Sequence, residues 1–292
     1  MQFLVYIFLY PLLWIISILP FPVFYFVSDC ICFLTYRIIG YRKKTVRKNL
    51  EIALPHLSDK ERKVIEKKFY GHLCDLFLEM VKTLTISDSE MKKRFVIKNI
   101  EVLKEAESKG KSIALLASHY ASYEWSISLN KQIAFESYAI YKKITNSHFD
   151  RLVRNIRAKF GAQLITTKET IPTIEENYKN KKLSLYGFAS DQSPKITRAF
   201  HWGTFFGLET PLQTGAEMLS KKYDMSMLFM HIRKVKRGHY EAEFEVLSED
   251  PKLIPDYEIT ELFMKKVEAQ ILEAPEFYLW THKRWKHKRK SN

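Results

Sequence analysis

A chain of 292 residues in which 46% are hydrophobic has enough apolar material for one large domain or two small ones, which excludes disordered, collagen-like and coiled-coil readings. Its 47 Lys and Arg against 33 Asp and Glu leave a formal charge of +14, so its partners are expected to be anionic: nucleic acid, a phosphorylated lipid surface or an acidic protein. The three cysteines, Cys30, Cys32 and Cys74, supply neither a disulfide framework nor a metal-ligand spacing.

From Met1 to Ser28 no side chain is charged, and the run is dense in Leu, Ile, Val, Phe, Tyr and Trp. A membrane-spanning helix needs about 20 such residues at a rise of about 1.5 Å each, so the stretch is long enough. Pro11 falls inside it and Pro20 and Pro22 punctuate it, which predicts an apolar helix from Phe3 to Leu19 and a second apolar segment after Pro22, either as one full span or as a shallow hairpin. A secretory signal would begin with a basic region and end in small residues at a cleavage site; this sequence begins Met-Gln-Phe and offers no Ala-x-Ala. The segment Tyr41-Arg-Lys-Lys-Thr-Val-Arg-Lys48 that follows is expected on the cytoplasmic side, against anionic headgroups. Residues 1–40 therefore read as a membrane anchor and residues 41–292 as a single domain, since no repeat, low-complexity tract or linker divides them.

Ser58-Asp-Lys-Glu61 is a capping-box pattern, and Val64, Ile65, Tyr70, Leu73, Phe77, Met80, Val81 and Leu84 after it recur at helical spacing. Beyond this long helix, short apolar runs at Ser112–Ala117, Tyr138–Tyr141, Leu164–Thr166, Leu183–Phe188 and Met225–Ile232 predict strands of a covered sheet. Helical patterns lie between them near Glu124–Ile133, His148–Phe160, Ile171–Tyr178 and Leu212–Lys221. Such alternation argues for an α/β fold with a mainly parallel central sheet flanked by helices. Tyr240–Leu247 alternates polar and apolar residues, as an edge strand returning through Lys236-Arg-Gly238 would.

The chemistry concentrates directly after the strand that ends at Ala117, in Ser118-His119-Tyr120-Ala121-Ser122-Tyr123-Glu124. The carboxyl end of a core strand is where α/β sheets present ligands. His119 is a usable base near neutral pH, and a carboxylate on its other nitrogen would fix the tautomer and stabilise the imidazolium; Glu124 is the nearby acid. No Gly-x-Ser-x-Gly elbow, Walker loop, Gly-x-Gly-x-x-Gly or His-Glu-x-x-His site is present. His282 and His287 sit in a Lys/Arg-rich tail that would repel a cation, so no metal site is expected. Cys74, on the amphipathic helix, is expected in the core.

His-x4-Glu after an apolar strand, behind a basic membrane anchor, resembles the lysophospholipid acyltransferase superfamily, and more specifically its lipid A biosynthesis (late or secondary) acyltransferases. Further stretches carry the likeness in order along nearly the whole chain. Arg47-Lys-Asn49-Leu50 with Pro55 and Ser58 is similar to the family's pre-domain pattern. Tyr141-Lys-Lys-Ile-Thr-Asn146 with Leu152, Arg157 and Phe160-Gly161-Ala162 is similar to its second block. Ser190-Asp191-Gln192, Phe205-Phe206-Gly207, Thr210 and Gly215 resemble the third, and Pro275-Glu-Phe-Tyr-Leu-Trp280-Thr-His282-Lys-Arg284-Trp285-Lys286 the closing segment. One departure is Ser122-Tyr123 before the glutamate, where members often have Asn-Trp; it leaves the relay intact and bears on the lipid acceptor.

The resemblance implies a glycerol-3-phosphate acyltransferase-like fold and transfer of a fatty acyl chain from an acyl carrier protein thioester, or alternatively acyl-coenzyme A, to a hydroxyl of a glycolipid acceptor, a lipid A precursor. It places the site at the cytoplasmic face of the inner membrane. By analogy His119 is the catalytic base and Glu124 its orienting acid. Arg157 is assigned to substrate phosphate or the oxyanion, and Asp191 to holding Arg157 or to a second polar contact; Gln192 and Asn146 are the other candidate substrate-binding residues. No cofactor is required, because a thioester already carries the activation. The tail from Lys283 to Lys290, with Trp280 and Trp285, is expected at a headgroup interface, and Phe205, Phe206 and Leu208 are candidates to line an acyl groove. Two rivals remain: acylation of another lipid (a lysophospholipid or amino-acid lipid) on the same fold, and a non-catalytic module binding anionic lipid. Nucleic acid is not expected, since the basic residues lie beside apolar and aromatic segments and form no groove-reading motif.

Overall fold

The computed structural model describes residues 2–289. Its first helix, α1 (Gln2–Ile18), runs through Pro11 without a break. The second, α2 (Phe21–Phe33), begins with Pro22 in its first turn, where the missing N–H costs nothing. It continues through a π-helical stretch, Leu34–Ile39, so that Phe21–Ile39 is one apolar helix of 19 residues, long enough and apolar enough to cross a membrane by length and composition. Gly40, at φ 66°, ends it in the left-handed conformation that glycine adopts without steric cost. The basic stretch that follows is mostly helical, as α3 (Lys43–Ala53).

The capping box is present as read: Glu61 N donates to Ser58 Oγ (3.3 Å), Ser58 N donates to Glu61 Oε2 (2.7 Å), and α4 (Asp59–Lys82) starts there. Cys74 is buried on it. After α4 come α5 (Asp88–Arg94), β1 (Phe95–Ile97), α6 (Ile100–Ser108) and β2 (Ile113–Ala117). A 3-10 helix over Tyr123–Lys131 replaces the α-helix read near Glu124–Ile133. Then follow β3 (Glu136–Tyr141), α7 (Ser147–Ala158), β4 (Gln163–Thr166), α8 (Thr170–Lys179), β5 (Ser184–Ala189), β6 (His201–Phe205), β7 (Leu208–Leu212), α9 (Gly215–Tyr223), β8 (Ser226–Lys236), β9 (His239–Ser248) and α10 (Glu258–Glu273).

Seven strands form one sheet in the order β1-β9-β8-β2-β5-β3-β4, and every pairing but β8–β9 is parallel. β2 lies mid-sheet, with Ile113 to Leu116 buried, which is why its sequence is a continuous apolar run rather than an alternating one. The alternating strand read at Tyr240–Leu247 does return antiparallel to β8, but it is not the edge. Three residues of β1 pair outside it, Phe95 opposite Tyr240. So short a strand has no periodicity to detect. Helix α10 and the antiparallel hairpin β6–β7 are likewise additions of the structure, the hairpin forming its own two-stranded sheet.

Candidate active site

The register of β2 against β5 builds the site. Ala117 is opposite Ala189, and each chain leaves its strand there, so the residues two positions on, His119 and Asp191, emerge side by side at the carboxyl edge of the sheet. Asp191 Oδ1 accepts from the His119 backbone N–H (3.2 Å) and lies 2.7 Å from Nδ1 of its ring. Asp191 has no solvent exposure, while the His119 side chain keeps 20%. Burial works against the Asp191 carboxylate, but the imidazole beside it wins and holds its pKa below the ordinary range. An ionised carboxylate can only accept, so Nδ1 carries a proton and the lone pair of the neutral ring is on Nε2. Burial likewise works against a charged ring, yet the Asp191 and Glu124 carboxylates together raise the His119 pKa above its ordinary value, Arg157 opposing them.

Glu124 does not occupy the place expected for it. Both of its oxygens are taken by Arg157, with Nε at 2.9 Å and Nη2 at 2.5 Å in a two-pronged pair. The expected roles are therefore exchanged: Asp191 touches the imidazole, and Glu124 touches the guanidinium. The reason is local. Glu124 opens the 3-10 helix and is buried, facing the last turn of α7 where Arg157 sits, whereas strand register delivers Asp191 to Nδ1. Tyr123 fills the remaining side of the ring, edge-on to His119 with centroids 5.0 Å apart.

Asn146 caps α7. Its Oδ1 accepts from the backbone N–H groups of His148 (3.0 Å) and Phe149 (3.3 Å), and so sets the axis along which Arg157 is aimed. Gln192 follows Asp191 and is partly exposed; its backbone carbonyl accepts from Gln213 Nε2 (3.0 Å).

The closing segment is part of this construction. Ala121 N donates to Phe277 O (2.9 Å) and Leu279 N donates to His119 O (3.0 Å), clasping the loop that carries the base. Ala121 itself is left-handed, at φ 47°. Asn49 Nδ2 donates to the carbonyls of Trp280 and His282, each at 2.7 Å. Trp280 and Trp285 are buried, the second stacked on Phe205 at 5.5 Å, which corrects the expectation that they sit at a headgroup interface. Phe205 is sealed in the same core, and only Phe206 and Leu208 of the suggested groove residues are partly exposed. Of the basic tail, Lys290 lies outside the described residues.

The sequence suggested no chemical role for Arg284 beyond its motif, and His282 was otherwise weighed only as a metal ligand and set aside. Burial lowers the His282 pKa to about 4, so this ring is neutral. Its Nδ1, Thr210 Oγ1 and two nitrogens of Arg284, Nε and Nη2, are buried without a hydrogen-bond partner among the described residues. Buried polar groups in this state are uncommon in folded proteins, and each calls for a partner such as an ordered water, an ion or a bound substrate.

A base with a free Nε2, its ring held by an ionised acid and flanked by a second acid–guanidinium pair, can draw a proton from a hydroxyl while an adjacent cation meets negative charge. The comparisons with known proteins identify the family. The model of the bacterial lipid A biosynthesis acyltransferase family matches residues 1–287. The chain is similar to the lipid A biosynthesis palmitoleoyltransferase of Escherichia coli (strain K12), 24% identical over 277 residues that cover 94% of this chain and 88% of the relative. It is similar to the same extent to a lipid A biosynthesis acyltransferase of Shigella flexneri. The lipid A biosynthesis lauroyltransferase of Escherichia coli (strain K12) is 24% identical over 281 residues, 94% of this chain and 89% of the relative. The chain is an acyltransferase and belongs to the bacterial lipid A biosynthesis acyltransferase family.

Proposed function

We propose that this acyltransferase moves a fatty acyl chain from an acyl carrier protein thioester to a hydroxyl of a lipid A precursor at the cytoplasmic face of the inner membrane, held there by its N-terminal helices. The observation that carries the chemistry is the 2.7 Å contact between His119 Nδ1 and the buried Asp191, which leaves Nε2 as the base. As the acceptor oxygen attacks the thioester carbonyl, Nε2 takes its proton. The new C–O bond forms, the C–S bond breaks, and the departing thiolate recovers that proton from the imidazolium. Asp191 stabilises the imidazolium while it exists. Arg157 spends Nε and Nη2 on Glu124 and keeps Nη1 for the oxyanion or a substrate phosphate. The +14 charge suits a phosphorylated acceptor, an anionic leaflet and an acidic carrier alike.

Purified protein incubated with acyl carrier thioesters and a panel of acceptors tests this reading. A lipid A precursor is expected to gain the mass of one acyl chain, and His119→Ala to abolish the gain. Acylation of a lysophospholipid or an amino-acid lipid instead would move the assignment to another acceptor on the same fold. Equal yields with coenzyme A thioesters would remove the carrier protein as the preferred donor.

A further inference from the structure

Arg284 is sealed in the core at 1% exposure, and a guanidinium keeps its charge in proteins. Its Nη1 donates to the carbonyl of Pro211 (3.4 Å), and the cation stands over the Phe205 ring at 4.8 Å. Nε and Nη2 meet no acceptor among the described residues. A buried charge left in this state is costly unless negative charge or strong dipoles reach it.

Two stretches of chain link Arg284 to the catalytic pair. The closing segment runs from Leu279, bound to the His119 carbonyl, to His282, whose own carbonyl accepts from Arg284 N (2.9 Å). On the other side, β7 carries Thr210 and Pro211, and Gln213 just past its end donates to the carbonyl of Gln192, the residue after Asp191. The buried atoms without partners in this region complement one another: the Arg284 donors, Thr210 Oγ1, His282 Nδ1 and, as acceptor, Asp191 Oδ2. Asp191 gives its first oxygen to His119, and the Tyr278 hydroxyl beside the carboxylate favours its charge without closing a hydrogen bond on Oδ2. Burial works against the Arg284 cation, and Tyr278, Asp191 and Glu268 oppose that effect. Of the two acids, Glu268 is pushed by burial toward its neutral form while Asp191 is held ionised, so Asp191 is the counter-charge.

We propose that Arg284 is a positioning residue for the acyl transfer: through enclosed water, with His282 and Thr210 completing the chain, it holds the second oxygen of Asp191 and limits the charge that carboxylate spends on the His119 ring. This rests on the role of His119 in the function proposed above. A carboxylate shared between a cation and an imidazole raises the proton affinity of the ring less than one given wholly to it. Arg284 thereby keeps the base from being locked in its protonated form at neutral pH. Tyr123, Glu124 and Arg157, the other titratable or charged groups facing the pair, are untouched by the variants below.

The test titrates the ring itself, by NMR of the full chain carrying isotope-labelled histidine in detergent micelles, with the His119 signals identified by their loss in His119→Gln. In Arg284→Gln the His119 midpoint is expected to move up by about 0.5–1 pH unit, opposite to the shift expected for Asp191→Asn. The acid limb of the pH–rate profile should follow it, with up to about a tenfold loss on the acid side and little change on the plateau above. Arg284→Lys, which keeps the charge, is expected to leave the midpoint near its original place. An unmoved midpoint in Arg284→Gln, the same shift in both variants, or a loss of rate equal at every pH would overturn the proposal. Because the ring is observed directly, absence of acyl transfer in the unsubstituted protein would sink the proposed function and leave the link between Arg284 and Asp191 standing. If the variants do not fold, a structure of the unsubstituted protein at a resolution that shows water decides. Ordered water joining Arg284 Nε or Nη2 to Asp191 Oδ2 is expected; Arg284 capped by Glu268 or by an inorganic anion, or no continuous chain, would refute the link.

Discussion

Asp191 and Glu79 are both carboxyl groups without solvent exposure, and their pKa values are pushed in opposite directions. Burial opposes ionisation in each. At Asp191 the adjoining imidazole more than offsets it, and the pKa falls. At Glu79 burial prevails over Lys234 and over two hydroxyl donors, Tyr25 (2.9 Å) and Tyr240 (2.9 Å to the other oxygen), and the pKa rises to about 7. Neutral donors satisfy a buried acid without making it a strong one; a group that can become a cation does both when it touches the carboxylate, as the His119 ring does. The first acid stands at the sheet's working edge, the second under the N-terminal helices.

Removing the partner that makes Asp191 different has the largest effect. His119→Ala is expected to lower kcat/KM by about 10²–10⁴-fold with the protein still folded. Asp191→Asn is expected to cost nearly as much and to move the acid limb of the pH–rate profile to lower pH. The sign follows from the raised His119 pKa: the active neutral ring appears only as pH rises through it, and without the anion that point falls. An acid limb that stays in place would separate Asp191 from the base.

The neighbouring pair gives a sharper contrast. Glu124→Gln leaves Arg157 facing a neutral amide. Because the Arg157 side chain retains 22% exposure, the expected loss is about 2 kcal/mol of stability rather than the larger cost of a sealed pair, read as a lower Tm. Arg157→Lys should not restore turnover, since an ammonium cannot make the two-pronged contact.

Glu79 supplies the opposite pH signature. Its folded pKa is raised, so its share of stability is full below the unfolded value of about 4.5 and is lost as pH rises toward 7, by about 3 kcal/mol in all. Glu79→Gln is expected to flatten denaturant midpoints measured across that window. The smallest change is Asn146→Ala, which removes the α7 cap and should cost about 1 kcal/mol.

Local patterns in the sequence were enough to find the sheet's covered strands, the capping box and the helices between them, because each is written in neighbouring residues. His119 was visible for the same reason, as a polar residue just past a buried run. Its true partner was not, since the pairing of Ala117 with Ala189 joins segments far apart in the chain and no spacing encodes that register. Glu124, five residues away, was the nearer acid and the wrong neighbour for the ring. Trp280 and Trp285 misled in the opposite direction: flanked by Lys and Arg, they looked interfacial, but the clasp around the His119 loop buries them.

That clasp has a temporal consequence. The loop bearing the base is closed by Phe277 and Leu279, among the last described residues to leave the ribosome. During synthesis the imidazole and both acids exist long before the strand of backbone that fixes them does. A nascent chain halted ahead of that stretch would hold His119, Asp191 and Glu124 without the two backbone hydrogen bonds that clasp the His119 loop, and is expected to be inactive in the proposed acyl transfer.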